Sequence, residues 1–121
     1  MLIKALLIDP FHGEDEPMIR EIEIENDLKA IYAALSHPLH PVSGIAVVRG
    51  PAGHHIFVDD EGLFKDPKYW FEVQGFPQAL AGRGLVTRTD GRGETVSATI
   101  PASVLAQTVR RYVVRGKNGD R

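Results

Sequence analysis

The chain has 121 residues with no cysteine, 43% hydrophobic and 25% charged residues, and a net charge of −2. A chain of this length fits one domain able to bury its own core, and the lack of cysteine excludes disulfides, thiolate zinc sites and cysteine nucleophiles. No window approaches the roughly 20 apolar residues of a membrane span, and the short apolar run at the N-terminus lacks a signal-peptide core, so a cytoplasmic protein without a membrane partner is expected.

The run "LIKALLID" (residues 2–9) reads as a largely buried strand ended at Asp9-Pro10, and "FHGEDEP" as a loop centred on Gly13. "MIREIEIE" (18–25) alternates, with Arg20, Ile22 and Ile24 on one side and Ile19, Glu21 and Glu23 on the other. That is a half-exposed strand, forming a hairpin with the first. A helix follows. Asn26 or Asp27 can accept from the free amides of its first turn, and Leu28, Ile31, Tyr32 and Leu35 make one apolar stripe. Prolines 38 and 41 in "SHPLHP" stop it.

"SGIAVVRG" and "HHIFVDDEG" are the next two strands, expected to pair antiparallel. After a turn at "KDP" comes the aromatic strand "YWFEV", the loop "QGFPQALAG", the strand-like "GRGLVTRTD", and a turn-rich "GRGETVSAT" with a short extended piece. "TIPASVLAQTVRRYVV" reads as a helix with Thr99 as cap and Pro101 in its first turn, although its end could instead be a last strand. The pattern predicts an α+β fold, a mainly antiparallel sheet with two helices on one face. Residues 1–114 are expected to form a single domain, with 115–121 as a flexible C-terminal tail.

Charge is unevenly spread. Residues 1–27 hold eight acids against Lys4 and Arg20, a net of −6, while residues 83–121 hold eight bases against three acids, a net of +5. Such faces are commonly solvated or mutually paired; the sharper reading is an acidic surface for a basic partner, carried by Glu14, Asp15 and Glu16, or a basic one for an anion.

Nine positions of "HHIFVDDEG" hold two histidines, two aspartates and a glutamate. On a strand the histidines point to opposite faces, and His55 and Asp59 are about 13 Å apart, too far to share a metal held at about 2 Å per ligand. A strand running into a turn is expected there. His37 and His40 could meet His12 or His55 only through the fold. The two "GRG" sequences, at 82–84 and 91–93, lack the Lys-Ser/Thr of a phosphate loop. Even so, Arg83, Arg88 and Arg92 lie close in sequence and Arg forks suit phosphates, with Trp70 as a stacking plane or lid. Arg83 and Arg88 would face opposite ways. The overall acidity speaks against nucleic acid as a partner. No metal site, cofactor or catalytic residue is assigned, and an exposed strand edge would allow a homodimer.

The series "IKALLIDP", "REIEIENDLKAIYAAL", "VDDEGLFKD" and "FPQALAGRGLVTRTDGRGETVSA" resembles a family of uncharacterised small proteins carried on phages, plasmids and bacterial genomes, over roughly residues 2–98. The aromatic "PKYWFEV" segment and the C-terminal helix depart from its shorter pattern. The resemblance implies a genetic context, not a mechanism. In that context small non-catalytic proteins often bind and block a host component such as a defence complex. The expectation is therefore a non-enzymatic accessory protein that binds a host protein or complex, with a small-ligand or nucleotide binder using Arg83, Arg88 and Arg92, and a small metal-dependent enzyme, as the alternatives.

Overall fold

The structure, a computed structural model, describes residues 1–62 and 67–114. The expected tail at 115–121, and all of the expected "KDP" turn except Pro67, lie outside them. The elements in chain order are β1 (Leu2–Gly13), β2 (Pro17–Glu25), α1 (Leu28–Leu35), β3 (Ile45–Arg49), β4 (His54–Asp59), β5 (Tyr69–Val73), β6 (Leu80–Ala81), β7 (Gly84–Thr89), β8 (Thr95–Val96), α2 (Ala102–Ala106) and β9 (Val109–Val113). The main sheet has the order β2-β1-β7-β4-β3, with β8 paired to β7, and a smaller sheet has the order β6-β5-β9. Every one of these pairings is antiparallel, so the α+β, mainly antiparallel architecture holds.

Strand alternation divides the core in two. Leu6, Ile8, Ile56, Val58 and Val86 pack against Phe71, Val73, Val109 and Leu105, which come from the small sheet and α2. Ala5, Leu7 and Leu85 pack instead against Ile31 and Leu35 of α1. The helices therefore join opposite faces of the main sheet, not one face as expected. The reason lies in the C-terminal segment. Val109–Val113 pairs along β5, and it carries α2 to the side where β5 covers the sheet.

That segment corrects a second expectation. α2 is five residues long, Pro101 precedes it without a side-chain cap, and Thr99 does not cap it; the alternative of a last strand at "RYVV" is the one realised. α1 matches its forecast. Asp27 Oδ1 accepts from Ala30 N at 2.8 Å, and the helix stops at Ser36. Of the apolar stripe, Ile31 and Leu35 are buried and Tyr32 half-buried, while Leu28 is exposed. β1 runs past Pro10, where a stop was expected, because the ladder with β2 shifts register between Asp9 and Gly13. A proline is tolerated in such a stretch, where no ladder N–H is required.

The glycines of the first "GRG" serve packing. A Cβ on Gly84 would lie 2.5 Å from Phe71 Cζ, so only glycine lets β7 approach the largest buried side chain of the core. Among the described residues no helix is long and apolar enough to cross a membrane.

Candidate functional site

Glu14, Asp15 and Glu16 form the exposed tip of the β1–β2 hairpin, held from behind by Arg111, whose backbone N–H donates to Asp15 O at 2.9 Å. β2 is an edge strand of the main sheet. Its Glu21, Glu23 and Glu25 are exposed and point to one side. Among the described residues, Glu14, Asp15, Glu16, Glu21 and Glu23 make no salt bridge, while Glu25 holds the amino terminus of Met1 at 2.9 Å.

The structure does not bring Trp70, Arg83, Arg88 and Arg92 together. Trp70 is half-buried in β5, and its indole N–H donates to Pro67 O at 3.1 Å. Arg83 is turned inward. Its guanidinium donates to Ser36 O at 2.7 Å and Ala34 O at 3.3 Å, closing the C-terminal end of α1, and to Asp9 Oδ2 at 3.3 Å. Arg88 sits opposite His54 in the β4–β7 ladder, on the other face from Arg83, as its parity requires. Arg92 is exposed in the turn after β7, where Asp90 Oδ1 accepts from the backbone of Arg92 and Glu94.

"HHIFVDDEG" is a strand and turn. His54 is buried, and its Nε2 accepts from the backbone N–H of Thr99 at 3.0 Å and Ile100 at 3.1 Å. The proton therefore sits on Nδ1, which donates to Ala52 O at 3.0 Å. His55 lies on the opposite face against Thr89 Oγ1, 2.9 Å away. Among the described residues no three metal-ligating side chains gather at one point.

A cluster of polar and aromatic side chains lies where the ends of β1 and β4 meet the "SHPLHP" turn. It joins His12, His37, His40 and Arg83, weighed as candidates from the sequence, to Asp9, Phe11, Asp59 and Tyr69, to which the sequence assigns no role. Asp9 is wholly buried: Oδ1 accepts from Phe11 N at 3.1 Å, and Oδ2 faces Arg83, His12 at 3.2 Å and Arg20 at 3.6 Å. Phe11 stacks flat on His37, with ring centroids 3.9 Å apart, and touches Tyr69 at 4.9 Å. Arg111 lies over Tyr69 at 5.7 Å, and its Nε–H donates to Pro10 O at 2.6 Å. Burial, and secondarily the Arg83 charge, hold the His37 pKa below its ordinary 6.5.

Beside this stack, His40 and Asp59 form a buried pair with Nε2 and Oδ2 2.7 Å apart. Gly82 supports it. At φ +75°, a Cβ there would lie 2.8 Å from His40 Cδ2 and 2.9 Å from Nε2. A cavity of about 650 Å³ opens here, lined by Phe11, Tyr69, Leu39, His40, Pro41 and Lys68 among others. The one local sign of this site is the spacing of "HPLHP", whose His37 and His40 close a turn with His40 N donating to His37 O at 2.7 Å. Asp9, Asp59 and Tyr69 arrive only through the fold.

A family described as a domain of unknown function, DUF3846, matches residues 3–109 of the chain. No curated protein and no solved structure matches it.

Proposed function

We propose that this chain, which belongs to the DUF3846 family of domains of unknown function, is a non-enzymatic binding protein whose acidic edge engages a basic surface on another protein. One observation carries the reading: Glu21 and Glu23 on the outer strand, with Glu14, Asp15 and Glu16 at the adjoining hairpin tip, are exposed carboxylates without an ion-pair partner among the described residues. Edge strands use charge to resist aggregation. That need accounts for charge on β2 but not for the single sign of the side that carries Glu21, Glu23 and Glu25, Arg20 lying on the other side toward Asp9. Alternate glutamates along a strand stand roughly 7 Å apart, a spacing that a row of arginines or lysines on a partner can meet. Unpaired like charges favour association with a basic surface, mainly through the on-rate.

The finer reading is an accessory protein of a mobile element that binds a host complex and modulates or inhibits it, in the cytoplasm. The placement of Arg83 and Arg88 on two faces, with Arg83 committed to Asp9 and α1, weighs against a nucleotide site built from them. The test is capture of partners from host extract by the full chain and by a variant carrying Glu14→Lys, Glu16→Lys, Glu21→Lys and Glu23→Lys. A partner held by the parent at low salt, released as salt rises, and lost by the variant supports the acidic edge. A partner held equally by both removes it.

A further inference from the structure

We infer that the cavity beside His40 is a binding site for a small planar anion, namely an aromatic ring that gives a hydrogen bond to His40 Nδ1 and carries a carboxylate or phosphate to Lys68. This site is separate from the acidic edge and stands on different residues.

The argument begins with the ring of His40. The side chain is 4% exposed, so each of its nitrogens needs a partner or leaves a cost. Nε2 has Asp59 at 2.7 Å. The Cγ–Cδ2–Nε2 edge faces Gly82, which turns Nδ1 the other way, and among the described residues Nδ1 has no hydrogen-bond partner. His40 lines the cavity. A buried imidazole is thus fixed by a carboxylate on one nitrogen and offers the other. Nε2–H donates to Asp59, and a neutral ring held in this way presents Nδ1 as an acceptor, the complement of a ligand O–H or N–H.

The walls specify the rest. Phe11 and Tyr69 are rigidly placed, the first by its stack on His37 and the second by Arg111, and they suit a flat ring. Leu39, Pro41 and Pro67 add apolar walls, and about 650 Å³ is within the range of small-molecule sites. Among the described residues the cation of the lining is Lys68, exposed at the rim, which favours a negatively charged substituent.

Isothermal titration of the full chain with 4-hydroxybenzoate and with uridine monophosphate tests the proposal. Each offers a planar ring with a donor on it, the phenol O–H or the uracil N3–H, and carries an anion, and the pair separates a carboxylate source from a phosphate source. Saturable 1:1 binding of either is expected, with a change in the ¹⁵N shift of His40 Nδ1. Benzoate, which lacks the donor, should bind roughly tenfold more weakly than 4-hydroxybenzoate where the carboxylate is the one accepted. Lys68→Glu, an exposed change compatible with folding, should weaken binding by roughly tenfold, and Leu39→Trp should obstruct it. Absence of binding by both probes at about 1 mM, equal binding of inorganic phosphate, or affinity unmoved by both substitutions would overturn the assignment.

Discussion

The carboxylate of Asp9, with no solvent exposure, lies 3.3 Å from the guanidinium of Arg83, 74 positions away in sequence. The contact joins the end of β1 to the lead-in of β7, and the same guanidinium holds the last carbonyls of α1. Removing one partner of a buried pair leaves an uncompensated charge, which costs about 3–5 kcal/mol. Arg83→Leu should therefore lower unfolding stability by about 3 kcal/mol, the low end of that range, since Arg20 and His12 still face Asp9. Urea denaturation measures it, and a loss below about 1 kcal/mol would contradict the reading of Arg83 as an internal clamp.

Gly82→Ala tests the support beneath the His40–Asp59 pair. The residue has φ +75°, and the new methyl would meet the His40 ring at under 3 Å. Backbone strain of this kind costs about 1–3 kcal/mol. The substitution also displaces His40 from Asp59, so it should weaken the binding of 4-hydroxybenzoate or uridine monophosphate along with stability. Stability unchanged from the parent would mean that the ring does not rest on Gly82.

What could be read from the sequence was local, and what could not was long-range. The alternation of Ile22 and Ile24 with Glu21 and Glu23, and the stripe Ile31 and Leu35 closed by Asp27, depend on neighbours within a turn or a pleat. β2 and α1 follow from them. The length of α2 and the face it covers depend on whether Val109–Val113 finds β5, a pairing with no local signal. The candidate site divides the same way. His37 and His40 were visible as a spacing, but their partners Phe11, Asp59 and Tyr69 come from three other strands or strand ends. Arg83, Arg88 and Arg92, near one another in sequence, are separated by strand parity and a turn.

His54 offers a check on the crowded "HHIFVDDEG" stretch. Its Nε2 is the acceptor for two backbone N–H groups, those of Thr99 and Ile100, and a buried donor left unsatisfied costs about 1–3 kcal/mol. His54→Leu should destabilise the fold by about 2–4 kcal/mol, whereas His55→Ala, which loses one contact to Thr89, should cost about 1 kcal/mol or less. Added zinc should leave the melting temperature of the parent unchanged. Stabilisation by zinc that disappears in both variants would instead make the pair a metal site.

His37 makes stability depend on pH. Its folded pKa is lowered from 6.5 by burial and then by Arg83, so between the folded and unfolded values the unfolded chain binds the extra proton. The contribution is complete above about 6.5 and is lost as pH falls through the lower, folded value. His37→Phe keeps an aromatic ring against Phe11 but cannot titrate. The melting temperature of the parent should fall more steeply than that of the variant as pH is lowered from 7 to 5. Parallel curves would show that burial of His37 is not coupled to its protonation.

The acidic edge predicts a gain of stability on mutation. If Glu21 and Glu23 are kept for a partner, their mutual repulsion is an expense to the folded monomer, and neutralising them should stabilise it. Glu21 stands opposite Leu6 in the ladder, whereas Glu23 stands opposite Lys4. Like charges on a strand face cost, and opposite charges directly across contribute, about 0.2–1 kcal/mol each. Glu21→Gln should therefore raise stability by a few tenths of a kcal/mol, about the lower end of that range, and Glu23→Gln should be nearly neutral because it also removes the attraction of Lys4. The Glu21→Gln gain should be largest at low ionic strength and vanish near 1 M salt, where the screening length is about 3 Å. Chemical denaturation by urea, which adds no ions, at two salt concentrations measures both terms. A loss of stability in Glu21→Gln at low salt would mean that the glutamate already has a favourable role within the chain, and the unpaired acidic ladder would no longer point outward to a partner.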